Sequence, residues 1–598
     1  MRRVHAMPFG AEVRADGATR FRIWAPAARR VEVSIEVQGT RETYALRATE
    51  DGWHELVQPG IGAGARYRFV LESGVAVPDP ASRFNPDDVH APSEVIDPSA
   101  YAWRDADWRG LPWEQSVIYE LHIGTFTPQG TFAAARTRLA ELAALGITAL
   151  ELMPVADFPG KRNWGYDGVL AYAPDSAYGR PEDMKALVDE AHALGLMVLL
   201  DVVYNHFGPE GNYLHAYSPQ FFDSGYETPW GAAIHFDGSD ARVVRDFYIH
   251  NALYWLNEYH LDGLRLDAVH AIRDRSVPGI VSEIAHAMRD GPGRGRHVHL
   301  VLENDRNESR LLERSPPGEA HIATAQWNDD VHHALHVVTT GETDGYYADY
   351  SDAPLAQLGR ALAEGFVFQG QPSAFRGGTP RGEASSHLPP TAFVSFLQTH
   401  DQVGNRAFGE RLHALAEPAR ERAALACLLL APQIPMLFMG EEYAASTPFL
   451  FFCDFGAELA AAVREGRRAE FARFAAFGDP AARERIPDPG ALATFETSKL
   501  RWEERERSPH AERLALVREL IGLRRRHIVP RLAGTRGCGR PEIVDGVLCV
   551  TWTMGDGALL RLLAHFGPAT TTLPPSPEGE TLWLDPGRVR VLLLPRND

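Results

Sequence analysis

From Ser116 to about Met439 short apolar runs alternate with stretches of helical periodicity, and eight such runs can be counted. The apolar runs are Val117–His122, Ala149–Met153, Val198–Val202, Gly263–Asp267, Val298–Glu303, Ile322–Trp327, Phe393–Gln398 and Pro435–Met439. Most are too apolar to face water on either side, which is how buried parallel strands read. Helical runs such as Thr131–Leu145 and Pro181–Leu194 lie between them. Strands alternating with helices predict a parallel sheet. Eight of them, with insertions, predict an α/β fold closed into a (β/α)8 TIM barrel. The alternative is an open doubly wound sheet, but no glycine-rich phosphate fingerprint follows the first strand.

The flanks of this repeat are β in character. Short strands at Thr19–Trp24, Val31–Val37 and Tyr67–Leu71 predict an N-terminal β-sandwich over residues 1–100. Pro78-Asp-Pro-Ala-Ser-Arg83 makes a rigid exit from it, since Pro80 cannot sit in a central strand. The barrel is expected over 101–530. Runs at Val547–Thr553, Leu559–His565 and Arg588–Leu594 predict a small C-terminal β-sandwich over 531–598. The Ala/Arg/Glu-rich stretch Glu458–Phe477 reads as a solvated helix on the outside of the barrel.

Charge and cysteine usage narrow the partners. A net charge of −19 argues against nucleic acid, whose phosphates need a surplus of Lys and Arg, and is compatible with a neutral substrate. Cys427, Cys453, Cys538 and Cys549 form no C-x-x-C pair and have no histidine cluster at zinc spacing, so they read as buried thiols in a reducing compartment. No metal and no cofactor is called for. Met1–Gly10 has no apolar core of a leader, and no run approaches a membrane span. A cytoplasmic location and no membrane partner are the expectation.

The strand ends carry the chemistry. The third run ends in Asp201-Val-Val-Tyr-Asn-His206, the fourth in Arg265-Leu-Asp267, the fifth in Glu303-Asn-Asp305 and the seventh in His400-Asp401. A single Asp after a strand is ordinarily a helix cap. In a barrel, however, all strand C-termini open on one mouth, so these four endings converge in space. Several carboxylates around one pocket suggest glycoside hydrolysis, with one attacking the anomeric carbon and another protonating the leaving oxygen. Arg265 stands two residues before Asp267, so both side chains leave the strand on one face. It can keep Asp267 ionised, pair with Asp201, or do both.

These residues resemble the α-amylase superfamily of retaining glycoside hydrolases, whose four signature segments match Asp201–His206, Gly263–His270, Leu302–Asn304 and Thr399–Asp401 in order. The resemblance implies that Asp267 is the nucleophile, Glu303 the acid/base and Asp401 a transition-state stabiliser. It further implies that His206 and His400 bond the sugar in the −1 subsite and that Tyr166 of Trp164-Gly-Tyr-Asp167 stacks on it. Thr399 and Leu302 stand where Asn and Ala are usual, and neither replaces a reacting group. Phe21-Arg-Ile-Trp24-Ala-Pro26 looks like the sandwich module that precedes barrels in branching and debranching enzymes.

Further segments are similar to the maltooligosyltrehalose trehalohydrolases over nearly the whole chain. They are Glu120-Leu-His-Ile-Gly-Thr-Phe126, Asn205-His-Phe-Gly-Pro-Glu-Gly-Asn-Tyr213, Thr228-Pro-Trp-Gly-Ala-Ala233, Gln326-Trp-Asn-Asp-Asp-Val-His332 and Phe438-Met-Gly-Glu-Glu442. That similarity implies cleavage of the α-1,4 bond next to a terminal trehalosyl unit, with maltooligosyltrehalose as substrate and a maltooligosyltrehalose synthase as functional partner. Two other readings remain: a glucan branching or debranching enzyme, and a non-catalytic glucan-binding barrel. Dead relatives usually lose an acid, and Asp267, Glu303 and Asp401 are all present. Trehalose recognition is expected from the loops flanking Glu303, namely Asn304, Asp305, Trp327, Asp329 and Asp330. An indole suits a glucose face and carboxylates suit its hydroxyls, while Asp329 and Asp330 could instead cap a helix.

Overall fold

The computed structural model describes residues 1–595 apart from 2–3, 229, 316–317, 473–478, 536, 538, 569, 576–578 and 586. Cys538 and the end of the 458–477 stretch therefore lie outside the described residues. All eight expected strands form, as β1 (Ile118–Leu121), β2 (Ala149–Leu152), β3 (Met197–Val202), β4 (Gly263–Leu266), β5 (His299–Leu302), β6 (Ala325–Trp327), β7 (Phe393–Phe396) and β8 (Ile434–Phe438). They pair in parallel in chain order, and β8 returns to β1 to close the barrel.

Alternation along each strand decides what fills the lumen. Ile118, Ala149, Leu199, Val301, Ala325, Val394, Phe396, Ile434 and Met436 interlock there as the apolar layer. One pleat closer to the mouth the inward positions turn polar: Glu120 stands opposite Glu151, and Asp201 opposite Arg265. Ladder bonds run one residue past the strands, from Asp267 N to Val202 O and from Glu303 N to Leu266 O, both 3.0 Å. The two carboxylates are thus fixed by sheet geometry rather than by loops.

The N-terminal strands form two facing sheets. Phe21 and Ile23 on one and Val33, Ile35, Tyr67 and Phe69 on the other fill the space between them, with the alternating outward residues half-buried. This sandwich is fastened to the barrel. Arg83 and Glu258 make a salt bridge of 2.7 Å with both side chains buried, Trp24 packs on Phe221, and Phe9 packs edge-on to Phe247.

The C-terminal β unit is a single five-stranded antiparallel sheet. Barrel helices cover it where a sandwich would have a second sheet: Trp552 Nε1 donates to Leu362 O at 3.2 Å and Gly539 N to Ala363 O at 2.8 Å, both on the helix Pro354–Glu364. The helix Ala457–Phe471 is not merely solvated. Its Arg467 and Phe471 are buried, and Arg467 Nη2 donates to Gly404 O at 2.7 Å, which pins this insertion to the loop after β7.

Candidate active site

At the mouth, one buried guanidinium organises the carboxylates. Arg265 Nη1 donates to Asp201 Oδ2 at 2.7 Å and to Asp267 Oδ1 at 2.9 Å, while its Nη2 lies 3.0 Å from Glu303 Oε2. Both expected contacts of Arg265, with Asp201 and with Asp267, are therefore present. Asp267 is held from its other side by Asn205, whose Nδ2 donates to Oδ2 at 2.9 Å. Just after Asp267 the chain turns through Ala268 in the left-handed region, φ 40°, a conformation costing roughly 1–2 kcal/mol for a residue with a Cβ. That turn aims the Ala268 N–H at Glu303 Oε2, 2.8 Å away.

The two acids are pushed apart in proton affinity. Burial disfavours charge on both. At Asp267 it is outweighed by Arg265, Asn205 and His206, which hold the carboxyl below the ordinary aspartate range. At Glu303 burial, together with the negative charges of Asp267, Asp401 and Asp329, overcomes Arg265 and lifts it well above the usual range. One ionised and one protonated carboxyl, both within reach of the same cation, is the division of labour that double displacement at a glycosidic bond requires.

The remaining walls come from three strand ends. Tyr166 donates its hydroxyl to Asp201 Oδ2 at 2.6 Å and stacks on the His400 ring, centroids 5.0 Å apart. The His400 ring nitrogen Nδ1 is 2.5 Å from Glu120 Oε1. Burial opposes the His400 charge, but Glu120 and then Asp401 raise its pKa, so it tends towards the cation. Burial lowers His206 instead, and its Nε2 stands 3.0 Å from Tyr166 O. Asp401 is half exposed, with Oδ1 accepting from Asn405 at 2.9 Å. Tyr166, His206, Arg265, Asp267, Glu303, His400 and Asp401 thus share one mouth.

The expected specificity loops divide. Asp329 is partly exposed at the mouth, and burial, with the like charges of Asp305, Asp330 and Asp401, pushes it up to about 7 against Arg381. Asp305 is there too, but occupied: Arg376 donates to its Oδ2 at 2.6 Å. Trp327 is not at the mouth. It ends β6 pointing into the lumen, against Phe396, with the Arg265 guanidinium 4.1 Å over its ring, so it cannot stack on a sugar. Nor does Asp330 reach substrate: fully buried, it accepts from Tyr350 at 2.5 Å, Arg381 at 2.9 Å and the Val367 N–H at 2.6 Å. It caps no helix end either, since its partners come from other loops. Asn304 is buried and spends its side chain on Glu308 and Arg306 N.

Several residues at this site were not expected. Asn205 and Glu120 lay inside segments already noticed, and strand alternation would have aimed Glu120 inward. Trp230, 48% exposed, stacks over His206 at 5.5 Å, while Phe375, 52% exposed, and Tyr346 meet edge to face at 6.2 Å. Tyr346 lies within the field of Asp401 and Asp329, the two carboxylates that also act on Glu303.

A closed barrel whose mouth gathers these acids around one arginine defines a glycoside hydrolase of the α-amylase class, and residues 101–250 match the alpha amylase catalytic domain. Residues 8–84 match carbohydrate-binding module 48, the isoamylase N-terminal domain, and residues 542–596 match a domain of unknown function. The chain is 45% identical to malto-oligosyltrehalose trehalohydrolase of Deinococcus radiodurans over 85% of its length and 81% of that protein. It is 42% identical to the Saccharolobus solfataricus enzyme of the same name over 83% and 84%. It belongs to the malto-oligosyltrehalose trehalohydrolase family. Among solved structures, a Salmonella typhimurium protein named for the alpha amylases superimposes with TM-score 0.93 at 48% identity, covering 99% and 100% of the two chains. A Paenibacillus barengoltzii pullulanase shares the fold, with TM-score 0.72 at 20% identity over 99% and 96%.

Proposed function

We propose that this enzyme releases trehalose from maltooligosyltrehalose by cutting the α-1,4 bond next to the terminal trehalosyl unit, with retention of configuration. The observation that carries the chemistry is the Arg265 bridge, with Asp267 and Glu303 each about 3 Å from one guanidinium and displaced in opposite directions in proton affinity. The substrate rests on the family relationship. In this reading Asp267 attacks the anomeric carbon while Glu303 protonates the departing oxygen. Glu303 then deprotonates the water that opens the glucosyl–enzyme ester. Asp401 and His400 hold hydroxyls of the −1 sugar, Tyr166 supports its ring, and His206 bonds its edge.

Trehalose, as the leaving group, would occupy the +1 and +2 subsites beside Glu303, where Asp329, Tyr346 and Phe375 stand. A maltooligosyltrehalose synthase would supply the substrate. We also place the enzyme in the cytoplasm, in keeping with Cys427, Cys453 and Cys549 being buried and unpaired. Among the described residues no helix is long and apolar enough to cross a membrane.

A branching activity is the second reading, favoured by 35% identity to the 1,4-alpha-glucan branching enzyme of Jannaschia sp. over 44% of this chain. Incubation with maltooligosyltrehalose, maltoheptaose and amylopectin separates the two. Free trehalose from the first substrate supports the proposal. New α-1,6 branches and no trehalose would replace it with the second.

A further inference from the structure

Beneath the reacting carboxylates the lumen holds a polar side chain that no step of the reaction uses. Glu151 sits on β2 opposite Glu120 of β1 and Leu199 of β3, and it is 1% exposed. Neither of its carboxyl oxygens has a donor in full hydrogen-bond geometry, and Trp327 Nε1, Arg265 Nε and Asp201 Oδ1 are likewise unsatisfied. The Trp327 indole N–H faces Glu151 without reaching full hydrogen-bond geometry, and the face of that indole carries the Arg265 guanidinium at 4.1 Å. A buried polar group is retained at a cost unless something engages it. Here Glu151, Trp327 and Arg265 form a column beneath Asp267 and Glu303, with the Glu151 carboxyl and the indole N–H still short of full hydrogen-bond geometry.

We propose that Glu151 is a positioning residue for glycosidic bond cleavage, fixing the Trp327 indole from below and, through it, the Arg265 guanidinium that spaces the two reacting carboxylates. The proposal rests on the assignment of Asp267 and Glu303 as that pair. An ionised Glu151 would compete for Arg265 with Asp201, Asp267 and Glu303. Burial first, and then the charges of Glu120 and Asp201, keep its carboxyl in the neutral form against the pull of Arg265. A neutral carboxyl can accept from the indole and also donate its own proton, and Asp201 Oδ1 is an acceptor in that layer still lacking a donor.

The test compares Glu151→Leu, which keeps the volume and removes the hydrogen bonding, with Glu151→Gln, which mimics the neutral acid. Each is assayed in the full-length enzyme on an α-1,4-glucan that the wild type cleaves. The Leu variant should lose about tenfold to a hundredfold in kcat with KM little changed, as expected when reacting groups are displaced by a fraction of an ångström. Both limbs of its kcat/KM–pH profile should move to higher pH, because Arg265 lowers the pKa of both acids. The Gln variant should recover most of kcat and the wild-type limbs. Wild-type limbs in the Leu variant, or equal losses in Leu and Gln, would overturn the proposal. If the Leu variant does not fold, Glu151→Met, which likewise removes the carboxyl while keeping a side chain of similar length, should move the limbs in the same direction, and unmoved limbs would overturn it. Asp267→Asn and Glu303→Gln test the underlying assignment separately: full turnover in either sinks that reading whatever Glu151 does.

Discussion

Asn205 donates its side-chain amide to Oδ2 of Asp267 at 2.9 Å and to the carbonyl oxygen of the same residue at 3.0 Å. The first bond favours the ionised carboxyl, and the second holds its backbone. A hydrogen bond to a charged group is worth about 1.5–3 kcal/mol. Asn205→Ala should therefore lower kcat/KM by about tenfold to a hundredfold. With one stabiliser of the anion gone, the acid limb of the pH profile should shift upward. A variant with unchanged rate and limb would show that Arg265 and His206 set the state of Asp267 without Asn205.

Retention is checked on the product. NMR of the newly formed reducing end should show the α-anomer first, since two displacements restore the starting configuration. Glu303→Gln should cost about 10²–10⁴ in kcat on a glucan, the usual contribution of a positioned acid. A substrate with a fluoride leaving group needs no protonation and should restore the first step. If fluoride cleavage is as slow as glucan cleavage, Glu303 is not the acid.

Selectivity is expected from the exposed aromatic pair and not from the buried residues. Tyr346→Ala and Phe375→Ala should lower kcat/KM for maltooligosyltrehalose relative to maltoheptaose by roughly tenfold, the scale of a lost apolar contact in a subsite. Asp330→Ala should not change that ratio. It strands buried Arg381, so it should instead destabilise the protein by about 3–5 kcal/mol, read as a lower midpoint in urea. An altered substrate ratio in Asp330→Ala, with stability intact, would return that residue to the subsite.

Stability should fall as pH rises from about 4 to 7, through a carboxyl pair at the base of the Tyr166 loop. Asp157 and Asp175 are buried together, and burial raises both, with the Asp175 charge adding to it at Asp157 and the Asp88 charge at each; Asp175 rises to about 7. The folded chain then holds more protons than the unfolded chain between the ordinary aspartate value and about 7. The protonated pair's contribution is intact below that window and lost above it. Thermal midpoints of Asp157→Asn should show a flatter slope across this window than the wild type. Parallel curves would assign the slope to other groups.

Much of this was legible in the sequence because barrel logic is local. Each strand ends where its apolar run ends, and the mouth then gathers residues far apart in the chain, such as Asp201 and Asp401. Side-chain direction was the weaker inference. Its place in a loop-like segment puts Trp327 at the rim, yet Ala325 and Trp327 share the inward pleat of β6, and alternation alone sends the indole into the lumen. Asp330 could not have been read at all from its neighbours in sequence, since Val367, Tyr350 and Arg381 define it. Tyr346 and Phe375 lie in excursions beyond the strand–helix repeat, where no periodicity points.

The buried Arg83–Glu258 pair bears on how this molecule can be divided. A cut near residue 100 follows the boundary expected from the sequence, but it would leave Glu258 without its guanidinium inside a barrel helix. It would also bare Phe221 and Phe247, which Trp24 and Phe9 now cover. A buried charge deprived of its partner costs several kcal/mol, a large part of what keeps a domain folded. The N-terminal module is therefore not a detachable accessory. Sandwich and barrel should melt in one transition, and a shortened gene would yield aggregate in place of a smaller enzyme.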